Sequence, residues 1–307
     1  MRRVNRRDFL KGSAALGIQA ALASSAFRHA AARVADRPLP EMPYDLAIAK
    51  GDSPARNCLA AIEALGGMSR FVHEGDRVVI KPNPVGNNPP EQAINTHPDM
   101  LAAVVRECLR VGAREVIAIS HDSLRSFVAT GLRQAIEENG GRVKAIEDAS
   151  EYREVIVPRG KVLRREQVAA DILASEVFIN MPIAKHHAGS ELTGAMKNLM
   201  GINWDRMRFH RTDLHQCIAE LTATVRADLV LLDANYVLLT NGPVGPGEVR
   251  HARQVIAGVD PVATDAYMTQ AFWSMDPGRV GHIRIAHELG VGEIDLARLR
   301  VHEFDAG

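Results

Sequence analysis

The run Asn180-Met181-Pro182-Ile183-Ala184-Lys185-His186-His187-Ala188-Gly189-Ser190-Glu191-Leu192-Thr193-Gly194-Ala195-Met196-Lys197-Asn198-Leu199-Met200-Gly201 is the part of the chain richest in groups able to do chemistry. Thr193, Lys197 and Gly201 stand four apart, so a helix here would place them on one face. Small residues at Thr193, Gly194 and Ala195 would let a ligand come close to the backbone. A lysine beside a helix N-terminus suits a carboxylate or phosphate. Most lysines are simply solvated, but that ordinary role explains neither the glycines nor Asn198.

Two more polar clusters follow apolar runs. Lys81 and Asn83 come after Arg77-Val78-Val79-Ile80, and Asp233 and Asn235 come after Leu229-Val230-Leu231-Leu232. Lys185, His186 and His187 stand in the same relation to Val177–Asn180. In open α/β sheets, ligands gather beyond the carboxyl ends of the strands, so these groups are expected to share one anion site. The loop Asn241-Gly242-Pro243-Val244-Gly245-Pro246-Gly247 could offer amides from Gly242 and Gly245 to an anion. It lacks the Lys-Ser/Thr ending of a phosphate-binding P-loop. Asp260 before Pro261 reads as a helix N-cap, and Asp265 is expected to point back towards the site.

Candidate acid–base groups are Lys185, His186, His187, Lys197 and His215. Histidine or carboxylate ligation of a metal is the other reading. His186 or His187, with His210 or His215 and Asp233, supplies suitable ligand types but no strong metal spacing. Adjacent strand residues point opposite ways, so His186 and His187 could share a target only from a loop.

These groups must be positioned by regular elements. Strands are expected at Tyr44–Ala49, Arg77–Ile80, Glu115–Ser120, Val143–Ile146, Val177–Met181, Leu229–Leu232 and Gln254–Ala257. Helices are expected at Pro54–Leu65 behind Ser53, Pro98–Val111 behind Thr96, Ser126–Asn139, Glu166–Leu173, Thr212–Arg226, Pro261–Phe272 and Arg279–Leu289. Glu154–Val157 and Val162–Leu163 read as a small hairpin. The alternation predicts an α/β fold with a largely parallel sheet flanked by helices, and a ligand site at the carboxyl ends of the strands.

The N-terminus reads as an address. Arg6-Arg7-Asp8-Phe9-Leu10-Lys11 has the form of a twin-arginine export motif, and a small-residue apolar stretch follows to about Phe27. Ala21-Leu22-Ala23 and Ala30-Ala31-Ala32 are both suitable cleavage sites. The expected organisation is a signal peptide at 1–32, a linker at 33–43 and a single α/β domain at 44–307. The expected location is the periplasm or another exported compartment, with the twin-arginine export machinery as a partner.

Bulk composition excludes several classes. The whole chain has 37 basic and 37 acidic side chains in 307 residues. Residues 1–32 hold six of the bases and one acid, leaving 31 basic and 36 acidic residues and a formal charge of −5. That balance speaks against nucleic acid as a partner. No apolar run reaches the roughly 20 residues of a transmembrane span. Cys58, Cys108 and Cys217 stand far apart, so this chain alone is not expected to bind an iron–sulfur cluster.

Val79-Ile80-Lys81-Pro82-Asn83, Thr96-His97-Pro98, the Asn180–Gly201 run, the Gly/Pro loop and Gly258-x-Asp260-Pro261-Val262-Ala263-x-Asp265 resemble the domain-of-unknown-function 362 family. The resemblance covers about Tyr44 to Val301 and implies an α/β domain. Some members carry cluster-binding ferredoxin segments, which would require a separate redox partner here. More loosely, His187 … Gly194-x-x-Lys197 … Gly201 is similar to a pattern of nickel-pincer lactate racemase-like proteins, although Asn198 follows the lysine and no proline precedes Gly201. That similarity implies an organic, metal-containing cofactor held by lysine, with histidines moving protons. Two functions stay open: an enzyme of proton abstraction or metal-assisted redox chemistry, or a protein that holds a metal, cofactor or anionic metabolite for a partner enzyme.

Overall fold

The computed structural model describes residues 41–307. The signal reading, and the linker up to residue 40, lie outside the described residues. Twelve strands occur in chain order: β1 Leu46–Lys50, β2 Arg77–Lys81, β3 Glu115–Ser120, β4 Arg142–Ala145, β5 Tyr152–Ile156, β6 Arg165–Ala169, β7 Val177–Asn180, β8 Ile183–His187, β9 Glu191–Thr193, β10 Leu229–Leu238, β11 Val249–Gly258 and β12 Val301–Asp305. The main sheet runs β12-β1-β11-β10-β7-β2-β3-β4, with β8 beside β10 and β9 beside β8. Every adjacent pair along the main path is parallel except the two that involve β11. The fold is therefore α/β, with a largely parallel sheet flanked by helices.

Both faces of the sheet are buried, which is why its strands read as continuous apolar runs. Val79, Ile117 and Ile119 point into one core with helices Leu214–Thr224 and Pro261–Trp273. Val78, Ile80, Val116 and Ala118 point into the other, against helices Pro54–Ala64 and Pro98–Arg110. Alternation along each strand thus feeds two cores rather than one core and solvent.

Several elements differ from expectation. The Ser126–Asn139 helix is two short ones, Leu124–Ala129 and Leu132–Glu137, because Gly131 turns the chain at φ 74°. Helix Pro98–Arg110 is capped by His97, whose ring accepts from the Asp99 amide, rather than by Thr96. The first half of the expected Glu166–Leu173 helix is strand β6 paired with β5, and only Ala170–Leu173 is helical. β10 extends six residues beyond Leu232, so Asp233 and Asn235 sit within a strand and not past its end. β8, β9 and β12 were not expected as strands.

Candidate functional site

The carboxyl end of the sheet holds a cleft of about 260 Å³. Four segments build it. β2 ends in Lys81 and sends Asn83 beyond it, while Asp122 lies two residues past β3. The β8–β9 hairpin pairs Lys185 with Thr193 and His187 with Glu191. Opposed residues in an antiparallel pair share a face, so Lys185, His187 and Thr193 all line the cleft while His186 does not. The fourth segment brings Lys197 and Asn198 from helix Ala195–Asn198, Met200 and Gly201 from the next turn, and Arg206, Met207 and His210 from helix Arg206–Arg211. Thr193, Lys197 and Gly201 therefore meet at one cleft, but from a strand, a helix and a turn.

A chain of buried amides fixes the floor. Lys185 Nζ donates to Asn83 Oδ1 at 3.0 Å and to the Ile94 carbonyl at 2.6 Å. Asn83 Nδ2 donates to Asn198 Oδ1 at 2.8 Å, and Asn198 Nδ2 to Asn180 Oδ1 at 2.7 Å. Asn180 Nδ2 then donates to the Ala195 carbonyl at 2.7 Å. Each carbonyl accepts on the lysine side and each amino group donates onward, so the network has one direction. Satisfied buried networks of this kind fix side-chain geometry.

The electrostatics are unbalanced. Lys81 and Lys185 are each 1% exposed, and Lys197 is half-buried. Among the described residues none of the three has a carboxylate within ion-pairing distance. Lys81 donates to the Pro82 carbonyl, whereas the Lys197 ammonium has no hydrogen-bond partner among the described residues. Arg206 adds a fourth cation and donates to Asp122 Oδ1 at 3.0 Å. Burial, reinforced by neighbouring cations, pulls Lys81 and Lys197 down to about 8 and Lys185 to about 7. Burial opposes the charge of Asp122, but Lys81, Arg206 and the Ser120 hydroxyl outweigh it and hold the carboxyl below its usual range. Burial, then Lys197, lowers His187 to about 3, so its ring is neutral. Its Nδ1 accepts from the Gly189 amide at 3.0 Å, which leaves the proton on Nε2. Neutral His187 is therefore a hydrogen-bond donor rather than a ready base. Thr193 Oγ1 is buried at the cleft with no partner.

The glycines serve the protein more than a ligand. A Cβ on Gly194 would overlap the Asp265 carboxylate, and one on Gly201 would lie 2.7 Å from Lys81 Nζ. Asp265 does not face the cleft. Its carboxylate accepts from the amides of Ala195 at 2.6 Å and Met196 at 3.1 Å, anchoring the turn that carries Lys197. Burial pushes this carboxyl up to about 7. Gly242 packs on the His186 carbonyl and donates its amide to His186 Nδ1 at 3.0 Å. Gly242 and Gly245 thus shape the loop that presents Pro243 to the cleft, and Gly245 turns it at φ 64°.

The expected metal set is not assembled. His186 and His187 lie on strand β8 and point opposite ways. His215 lies away from the cleft, 3.2 Å from the buried ring of His282 and 3.4 Å from Glu191. Asp233 is occupied by the His97 amide at 2.7 Å and by Asn235 at 2.7 Å. Among the described residues no group of three or more His, Cys, Asp or Glu side chains could hold a metal ion. The cleft does hold His187, His210 and Asp122, but beside three lysines and an arginine, and these groups do not form a three-ligand cluster. The three cysteines are free and buried.

Asp122, Arg206 and His210 complete the site, and His210 had been considered only as a metal ligand. Asp122 was legible by the same rule that found Lys81, because β3 also ends in a polar run, Ser120-His121-Asp122. Arg206 carried no signal, since it sits 21 residues past Lys185 in an otherwise ordinary basic helix.

Comparison with known proteins decides the family. The model of the family described as domain of unknown function (DUF362) matches residues 78–270, well over half of the chain. The chain belongs to that family. Every cleft-lining residue lies inside the DUF362 span. The thylakoid-associated protein sll1697 of Synechocystis sp. is 28% identical over 249 residues, which cover 75% of this chain and 73% of that protein. Among solved structures, the lactate racemase apoprotein of Thermoanaerobacterium thermosaccharolyticum is similar with a TM-score of 0.44 and 10% identity, over 73% of this chain. A protein from Thermotoga maritima gives a TM-score of 0.41 and 11% identity, over 78% of this chain. The chain spans 56% and 60% of the lengths of those two structures.

Proposed function

We propose that this DUF362 chain is an exported protein whose cleft binds a small organic anion, and that Lys197 moves a proton at the carbon beside the bound carboxylate. One observation carries the reading: Lys81, Lys185, Lys197 and Arg206 converge on one cleft that offers a single carboxylate, Asp122, among its lining residues. Burying cations without counter-charges is costly, and an anionic ligand would relieve that cost. Lys185 and Arg206 are held by other groups and would position the anion. His187 and Thr193 would donate hydrogen bonds to it. Lys197, brought near neutrality and unpartnered, is the group suited to exchange a proton.

The same cations would suit an anionic organic cofactor, with the reactive atom supplied by that group and not by side-chain metal ligands. Export through the twin-arginine machinery is part of the proposal and rests on Arg6, Arg7 and the small-residue stretch that follows. Replacing both arginines by lysine should retain the protein in the cytoplasmic fraction; unchanged export would remove that part.

The chemical step is tested by deuterium wash-in from heavy water into a panel of 2-hydroxy and amino acids. Exchange that disappears in Lys197→Met supports proton transfer. Binding without exchange would leave the protein as a holder of an anionic metabolite or cofactor for a partner enzyme. Metal analysis and absorbance of protein from its native host show whether such a cofactor travels with it.

A further inference from the structure

The walls of the cleft differ from its floor. Val85, Met200, Met207 and Pro243 line it together with the cations. The apolar character continues outwards. Seven large hydrophobic side chains are notably exposed among the described residues; one of them, Met207, lines the cleft, and two more, Trp204 and Val244, stand within two residues of lining residues in the chain. Met207 is 57% exposed, Val244 follows the lining Pro243 and is 53% exposed, and Trp204 precedes Arg206 by two residues. Trp204 is held as a platform by His121 and Tyr152, with ring centroids 5.4 and 5.2 Å away. Exposed apolar groups concentrated at one pocket mark a binding surface. The volume matters too: about 260 Å³ is roughly nine times the 30 Å³ a water occupies in the liquid, more than an isolated carboxylate fills.

We propose that the anion bound here is amphipathic, a carboxylate on an apolar body, with its charged end at Lys81, Lys185 and Lys197 and its body along Met200, Met207 and Pro243. This rests on the anion-binding reading of the same cleft and adds the substrate class. A compact, highly charged anion such as inorganic phosphate would leave the apolar wall wet. An apolar body would cover it and gain with every methylene removed from water. Methionines suit such a wall because they adapt to bodies of different shape.

The test is calorimetric titration of the full mature chain with acetate, butanoate, hexanoate and inorganic phosphate at one pH and ionic strength. Affinity is expected to rise about 4-fold per methylene from acetate to hexanoate, with phosphate weaker than hexanoate. Met207→Ser should flatten that rise, and Lys197→Met should abolish the specific isotherm. Equal affinity for acetate and hexanoate, or phosphate binding more tightly than hexanoate, overturns the amphipathic assignment while leaving an anion site. Failure of all four anions to bind overturns the anion site itself. A chain-length gain that survives Lys197→Met places the apolar contact outside this cleft and also overturns the assignment.

Discussion

Strand β2 carries a cation at each end, and the two are treated oppositely. Arg77 at its start is surrounded by carboxylates: it pairs with Glu115 at 2.9 Å and with Asp171, and Lys144 joins Asp171 at 2.7 Å and Glu151 at 3.1 Å. Burial works against those charges, but the paired carboxylates outweigh it and hold Arg77 and Lys144 above their ordinary values. Lys81, four residues on, is deeper and has only a carbonyl for its ammonium. It is pulled down to about 8, mainly by burial. One end of the sheet pairs its cations with carboxylates; the other leaves Lys81, Lys185 and Lys197 with none in ion-pairing distance among the described residues. The lesson is that a count of cations locates nothing, whereas a count of unpaired buried cations locates the site.

The contrast can be broken at either end. The largest effect on stability is expected from Arg77→Met, which removes one of two cations from each of the partly buried carboxylates Asp171 and Glu115 and leaves them Lys144 and Arg142. A loss of roughly 2–4 kcal/mol by denaturant unfolding is expected, with anion affinity unchanged. Lys197→Met should do the reverse: roughly 10- to 100-fold weaker anion binding, enough to abolish the calorimetric isotherm, from the loss of a charge-assisted contact, with a melting temperature within a few degrees of the parent. A large drop in melting temperature would make Lys197 structural.

The unliganded protein should also respond to pH at one end only. The cleft lysines bind a proton less readily folded, at about 7 to 8, than at the ordinary value of 10.5. Between those values the unfolded chain holds more protons, so stability rises with pH across that window. From pH 7 to 10 the parent is expected to gain roughly 2 kcal/mol more than Lys81→Met, which isolates the share of that lysine from the opposing slope of the buried cysteines. Arg77 stays charged throughout and contributes no such slope. The smallest effect belongs to the exposed Lys50–Glu303 pair, 2.7 Å apart, where Lys50→Ala should change stability by about 0–1 kcal/mol.

Much of this was legible in the sequence, for physical reasons that also explain the gaps. Strands buried on both faces announce themselves as apolar runs, so β2, β3, β7 and the start of β10 were readable with the groups at their ends. Helix starts were readable where a short polar side chain precedes a proline, as at Ser53 and Asp260. β8 and β9 were not readable, because Lys185-His186-His187 is too polar to look like a strand. The parallel pairing of β8 with β10 and a tight hairpin set its conformation instead. That missed hairpin is why His186 and His187 could be imagined facing one metal. The glycines were noticed for the right reason, close approach, but the approaching groups are Asp265 and Lys81 of the same chain.

The central claim, that the cleft lysines hold their charge for an anion, is tested most directly by the proton balance of binding. Hexanoate is titrated calorimetrically at pH 8 in buffers of different ionisation enthalpy. Lysines near half-protonation at about 8 should be driven to the charged form by the anion, giving a net uptake of protons that fades by pH 6. Binding with no proton uptake at pH 8, or with release, would contradict the claim.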